Sequence, residues 1–275
     1  MTTIGITGFT SGIGRAVVAE AVARGHEVVR LGRGASADRG YDLAAPEATG
    51  SVDGLDAVVH LAWSWSEAEL NVPAGERLVR ACAAADVRPV LLSTFSAFAE
   101  GSRYGADKSL LERRVAGVGG ASVRAGLVWG AEPSGIVATL LRLAGAPVLA
   151  PRLRPDPALY HTSLARLARA LVAEAAGADE ATGSVALAAY PVPVMLSTLL
   201  DGLRAGPGLA LPVPIRSATA VARAAERLRL PLPVRSDSLA ALGPGVDGAL
   251  AASTLPWLDG FEPTEQFLRW ARSVA

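Results

Sequence analysis

Short apolar runs alternate with longer stretches of helical periodicity over the first 130 residues. Thr3 to Thr7 is a compact apolar run that predicts a strand, and Glu27 to Leu31 predicts a second. Between them, Ala16, Val17, Ala19, Ala21 and Val22 mark a helix from Gly12 to Arg24, closed by Gly25. Asp56 to Leu61 has an Ala-Val-Val centre suited to a strand buried on both faces. Pro73 to Ala85 predicts a helix with proline in its first turn. Val87 to Ser93 then predicts a strand, Tyr104 to Val118 a helix and Ala121 to Ala125 a strand. Strand and helix alternating at this spacing predict an α/β fold built on a parallel, doubly wound sheet.

After Val128 the texture changes. Prolines become dense, from Pro147 and Pro151 to Pro231 and Pro233. Helical stretches persist at Ser163 to Ala176, Val194 to Ala205 and Ser217 to Leu228, and the amphipathic tail from Pro263 to Val274 carries Phe267 and Trp270. This predicts a boundary near residue 130: a sheet domain over 1–130, and over 131–275 a smaller, mainly substrate-binding lobe with segments returning to the sheet. The longest uncharged run, Ala181 to Leu200, has the length of a membrane span. Pro191 and Pro193 interrupt it, so a strand, a turn and a helix start fit better, and no membrane association is expected. No basic segment precedes the first strand, so no signal peptide is expected either.

Composition narrows the classes. The chain has 275 residues, of which 51% are hydrophobic and 19% charged, which excludes a disordered chain. Basic and acidic residues both number 26, and this balance argues against a nucleic-acid partner. Cys82 is the only cysteine, so no internal disulfide forms and a cytoplasmic location is expected. His26, His60 and His161 do not fall at zinc spacing, and no metal is expected. Lysine occurs once, at Lys108, asparagine once, at Asn71, and glutamine once, at Gln266, amid many arginines. A GC-rich, bacterial genome produces such a bias, and the lysine and asparagine that survive it are candidates for specific chemistry. A monomer or homodimer acting on a small molecule is the expectation.

The first strand runs into Thr7-Gly8-Phe9-Thr10-Ser11-Gly12-Ile13-Gly14 and then a helix. Glycines placed there suit a pyrophosphate: Gly8 for the tight turn, Gly12 for close backbone approach, Gly14 for helix packing. Thr10, Ser11 and Ile13 complete the loop, and the helix N-terminus adds unpaired N–H groups and a positive dipole end. A dinucleotide in a Rossmann-type sheet is therefore expected. After the second strand comes Arg30-Leu31-Gly32-Arg33, with no acid to hold a ribose 2′-hydroxyl. Arg33, helped by Arg30 or Arg15, suits a 2′-phosphate, so NADP is expected, with NAD as the alternative.

These segments come in a recognisable order. The glycine loop is followed by Tyr41-Asp42-Leu43, His60-Leu61-Ala62, Asn71-Val72, Leu92-Ser93-Thr94, Tyr104-Gly105-Ala106-Asp107-Lys108 and Arg124-Ala125-Gly126-Leu127-Val128-Trp129-Gly130. In this order the chain resembles the short-chain dehydrogenase/reductase superfamily, and more narrowly its extended, NAD-dependent epimerase/dehydratase branch. Leu242-Gly243-Pro244 stands where that branch has a late turn. The resemblance implies that Gly8, Gly12 and Gly14 cradle the pyrophosphate, and that Asp42 binds the adenine with Leu43 beside it. It implies that Leu61 and Ala62 line the nicotinamide ribose and that Asn71 braces the central strands. Lys108 would hold the ribose hydroxyls and lower the pKa of Tyr104, and Thr94 would be the family's hydroxyl residue. The chain departs from the branch at Ser11, at Ala97-Phe98-Ala99, and in the ten positions from Thr94 to Tyr104, so the substrate side is shortened. Ser96 is a rival to Thr94.

The chemistry agrees with this assignment. Hydride transfer to a carbonyl needs a proton donor at the forming alkoxide, and the reverse needs a base. A phenol near pKa ~10 is brought toward working range by a nearby cation. Tyr104 and Lys108 lie four apart, on one helix face. A hydroxyl from Thr94 or Ser96 would bond the substrate oxygen. Trp63, Trp129 and His161 are candidate substrate contacts, Trp65 could flank the substrate beside Trp63, and lobe packing is the other account of them. The reading that follows is an NAD(P)-dependent oxidoreductase acting on a ketone or secondary alcohol. A nucleotide-sugar epimerase or dehydratase with tightly held NAD is the alternative, and a non-catalytic dinucleotide-binding regulator a third.

Overall fold

Ile4 and Ile6 lie at 0% exposure in strand β1 (Thr3–Thr7), which ends in the glycine loop and helix α1 (Gly12–Ala23). The computed structural model describes the chain except at residues 46–51, 100, 131, 134, 145–148, 178–183, 205–208, 229, 231–235, 243–244 and 275. Gly243 and Pro244 of the expected late turn lie outside the described residues. Strand β2 (Glu27–Gly32), a two-residue β3 (Arg39–Gly40) and the fully buried β4 (Ala57–His60) follow. Then come α2 (Asn71–Ala84), β5 (Arg88–Thr94), α3 (Arg103–Ala116) and β6 (Ala121–Ala125). Helix α2 starts two residues ahead of Pro73, which sits in the first turn, where its missing N–H has no helical partner to lose. Ser102 caps α3, accepting the Gly105 N–H.

Past β6 the chain forms β7 (Leu127–Trp129), α4 (Gly135–Ala144), β8 (Leu149–Arg154), β9 (Ala158–Leu159), β10 (His161–Ser163) and α5 (Leu164–Ala175). It continues with β11 (Val185–Ala188), β12 (Val194–Met195), α6 (Leu196–Leu203), β13 (Leu209–Pro214) and α7 (Ile215–Arg227). The last helices are α8 (Ser236–Ala241), α9 (Gly245–Ala251) and α10 (Thr264–Val274). The uncharged run that mimicked a membrane span thus contributes β11, β12 and the start of α6. Among the described residues no helix is long and apolar enough to cross a membrane.

Seven strands form one parallel sheet in the order β11-β6-β5-β4-β1-β2-β3, the doubly wound order with an added strand at one edge. Alternate residues of each strand feed opposite faces. Ala57 and Val59 of β4 join Ile4, Ile6, Val90 and Val123 against α1 and α5, while Val58 joins Leu31, Leu78 and Cys82 beneath α2. Cys82 is buried core, and burial pushes its thiol up to about 12. Strand β11 reaches the sheet only after the excursion through β7 to α5, so the second half of the chain shares the first half's sheet. Several of its other elements, among them α4, α6, α7 and α10, enclose a separate core of Trp129, Leu140, Leu153, Leu196, Leu199 and Phe267.

Candidate active site

The loop after β1 is tight on its inner side and open on its outer side. Gly8 has φ +65°, and a Cβ there would lie 2.8 Å from the Ala62 nitrogen; one at Gly14 would lie 2.2 Å from the Gly8 carbonyl oxygen. At Gly12 a Cβ would meet nothing within 4 Å. The sequence therefore leaves a clear approach to the N-terminus of α1, as a diphosphate needs. Ser11 caps that helix, its Oγ accepting the Gly14 N–H at 3.0 Å, while the Ile13 side chain packs on the core and the Thr10 carbonyl accepts from Arg15 at 2.6 Å.

The strand ends around the loop are clamped together. Thr7 Oγ1 accepts the N–H groups of Leu61 (3.0 Å) and Ala62 (3.1 Å), which occupies both its lone pairs. Its own proton therefore goes to His60 Nδ1 at 2.9 Å, and neutral His60 carries its proton on Nε2. Burial, reinforced by the charge of Lys108, pulls His60 down to about 3, so it stays neutral. Asp42 Oδ1 accepts the Ala44 N–H, and the Leu43 carbonyl accepts from Arg77. Arg33 is exposed beyond β2 with no hydrogen bond or ion pair among the described residues. Arg30 cannot help it, because its guanidinium and backbone N–H both bond Asp38. Arg15 is likewise tied to the glycine loop.

At the end of β5 the structure brings together Thr94, Ser96, Tyr104, Lys108 and Trp63. Thr94 Oγ1 accepts the Ser96 N–H at 3.1 Å and lies 3.2 Å from Ser96 Oγ. Gly105 lets α3 approach this turn, since a Cβ there would fall 1.9 Å from the Ser96 carbonyl oxygen. Tyr104 is enclosed by Trp63 (ring centroids 5.1 Å apart) and Trp65 (4.9 Å). Lys108 donates to the Leu92 carbonyl at 2.7 Å and sits 4.2 Å over the Trp63 ring. Burial pulls its ammonium down to about 7, partly offset by Glu112. Tyr104 departs from expectation. Burial and the Asp237 carboxylate push its phenol up, while the hydrogen bond to Thr94 pulls it down. Lys108 does not lower it, because its Nζ lies 5.9 Å from the phenol ring centre and turns toward Leu92 and Trp63.

Asn71 also differs from expectation. It does not brace the central strands: its Oδ1 accepts the Ser64 N–H at 2.7 Å and its Nδ2 donates to the Ser64 carbonyl at 2.8 Å. The side chain is 1% exposed and holds the backbone between the two tryptophans. Trp129 and His161 lie elsewhere, in the core of the second lobe. Trp129 Nε1 donates to His161 Nδ1 at 3.3 Å, His161 Nε2 bonds Thr264, and His161 stacks on Phe267 at 4.9 Å. His161 is 0% exposed, so this pair anchors α10 and lines no open crevice.

Two residues escaped the sequence reading. Glu112, one turn beyond Lys108 on α3, is clamped by Arg124 through two hydrogen bonds and accepts the Ser93 hydroxyl at 2.5 Å. The four-residue step from Tyr104 to Lys108 to Glu112 was its signal. Asp237 accepts the Arg103 N–H at 2.8 Å from α8 and so caps the N-terminus of α3, and no local pattern foretold it. Among the described residues no group of histidine, cysteine, aspartate or glutamate could hold a metal ion.

Comparison with known proteins places this geometry. Residues 4–115 match the family described as the NAD dependent epimerase/dehydratase family. No curated protein matches the sequence. Among solved structures, a nucleoside-diphosphate-sugar epimerase from Staphylococcus aureus aligns over 97% of this chain and 99% of its own, with a TM-score of 0.70 and 16% identity. The UDP-N-acetylglucosamine 4-epimerase from Bacillus cereus aligns over 92% and 99%, with TM-score 0.61 and 17% identity. The Thermus thermophilus UDP-glucose 4-epimerase, in complex with NAD, aligns over 91% and 100%, with TM-score 0.59 and 20% identity. These are likenesses of fold. Residues 4–115 are thus similar to the NAD dependent epimerase/dehydratase family, and the chain shares the fold of these epimerases.

Proposed function

We propose that the protein exchanges a hydride between a nicotinamide dinucleotide and a carbonyl compound or secondary alcohol, with Tyr104 moving the proton at the substrate oxygen. The observation that carries this reading is the meeting of the Tyr104 phenol with the Thr94 hydroxyl above the buried, sole lysine Lys108. The open face of Gly12 fits the cofactor, and the free N–H groups of Gly12 and Ile13 would hold its pyrophosphate. Asp42 and Leu43 would border the adenine, Leu61 and Ala62 the nicotinamide ribose, and Lys108 would reach the ribose hydroxyls. When bound, the dinucleotide supplies or accepts the hydride. Tyr104, held protonated by burial, is a proton donor in the direction of carbonyl reduction. Thr94 and Ser96 would hold the substrate oxygen. Arg33, without a partner among the described residues, favours NADP, and Asp38, which follows β2, is consumed by Arg30, which holds its carboxyl down at about 2.

A second reading is a nucleotide-sugar epimerase that retains NAD through the turnover. The fold likeness to three such epimerases favours it. Thermal melting with NADPH, NADH and no ligand separates the two. At a hundred times Kd, a ligand adds about 2.7 kcal/mol, roughly 5–10 °C for a chain of this size. A shift with NADPH that Arg33→Ala abolishes is the expected result. A shift with NADH alone, or NAD released on denaturation, would move the assignment to the epimerase.

A further inference from the structure

Trp65 is 58% exposed although its ring lies 4.9 Å from that of Tyr104. Leaving an indole half in water forfeits apolar burial. The chain spends a buried asparagine to keep it there. Asn71 holds both backbone groups of Ser64, and Ser64 Oγ accepts the Glu67 N–H at 3.1 Å. Trp63, on the other side of Ser64, packs inward against Val79, Leu91, Leu111 and Val115. One indole is therefore anchored and the other is presented beside the phenol. The charge acting on Tyr104 is acidic: the Asp237 carboxylate, which also caps α3, stands near it, and Asp107 on α3 pairs with the exposed Arg103 at 3.9 Å. In the second lobe Arg152 pairs with Asp201, while Arg166, Arg223 and Arg272 donate to the carbonyls of Asp259, Gly101 and Gly202. A diphosphate held beside the phenol would meet the Asp237 carboxylate there.

From this juxtaposition we infer that Trp65 is a specificity-determining residue and that the substrate is an uncharged ketone carrying a flat aryl or conjugated group, which stacks on Trp65 while its oxygen meets Tyr104 and Thr94. The inference rests on the oxidoreductase reading above. In the reaction the carbonyl carbon gains a hydride from the reduced dinucleotide and the oxygen gains the Tyr104 proton, giving a secondary alcohol and the oxidised dinucleotide. Solvent then reprotonates Tyr104.

The test compares acetophenone with cyclohexyl methyl ketone, of similar size but without a flat ring, in the parent and in Trp65→Ala. Two readouts are taken: kcat/KM with NADPH and NADH, and quenching of tryptophan emission without dinucleotide. The parent should favour acetophenone roughly tenfold, an aromatic pair's share. Trp65→Ala should lose that preference through KM and lose the quench. A carboxylate-bearing aryl ketone should be refused by the parent and better accepted by Asp237→Asn. Equal efficiency on both ketones in the parent, an aryl preference that survives Trp65→Ala, or a UDP-sugar that quenches in place of acetophenone would overturn the inference. If neither ketone is turned over but acetophenone still quenches the parent and not the variant, the inference about Trp65 stands and the oxidoreductase reading falls.

Discussion

Lys108 is 2% exposed, with its ammonium shared between the Leu92 carbonyl and the Trp63 face. Its pKa drops from the usual 10.5 to about 7 in the folded chain. Between those values the unfolded chain binds a proton that the folded chain has released, so stability rises with pH across that window. Below pH 7 the buried charge is a full burden. Lys108→Met should therefore stabilise the fold on the order of a few kcal/mol at pH 6, with the gain vanishing toward pH 10, while abolishing turnover. Melting curves of both proteins across that range check it, and parallel pH profiles would refute it. The lysine proposed to hold the cofactor is thus also one that the fold tolerates at a cost.

At the scale of elements, the contact between α3 and the turn after β5 fixes the site. Gly105 is the residue that allows it, and Gly105→Ala must drive the Ser96 carbonyl away from α3. We expect a loss of about 1–3 kcal/mol, read as a Tm lower by roughly 3–10 °C, with an activity loss beyond what the melting shift explains. An unchanged Tm would show that the turn gives way freely. Much of this was readable beforehand. The apolar core of β4, the Gly25 stop after α1 and the Tyr104-Lys108 step each express a local rule, and each element fell within a few residues of its expected place. Helix α4 and the paired strands β8 and β13 did not declare themselves, since prolines such as Pro212 and Pro214 sit inside a strand that pairs only within the small lobe. Asn71 was legible as exceptional but not as to its partner, because Ser64 lies in an irregular segment with no periodicity to read. Trp129 and His161 looked like cleft residues because nothing local reveals that Phe267, more than a hundred positions on, stacks on the histidine.

For the whole molecule, that aromatic cluster is the means by which the last helix is held. Phe267 is 1% exposed, stacks with His161 and Trp270 at 4.9 and 6.2 Å, and meets the tilted ring of Trp129 at 5.8 Å. Phe267→Ala should cost about 3–5 kcal/mol in urea unfolding, with one transition throughout, because β11 ties the second half of the chain into the sheet. Two separated transitions would show halves that unfold independently. That same strand has a bearing on how the chain is made. Its neighbour β6 ends at Ala125, and β11 begins only at Val185, some sixty residues later. At about 5–20 residues per second of synthesis, the ribosome leaves the β6 edge unpaired for roughly 3–12 seconds. An open parallel edge is a template for strands of other chains. Yield in the cell should therefore depend on how quickly that stretch is translated, and slow codons between β6 and β11 should send more of the protein into aggregates than the same codons placed after β11.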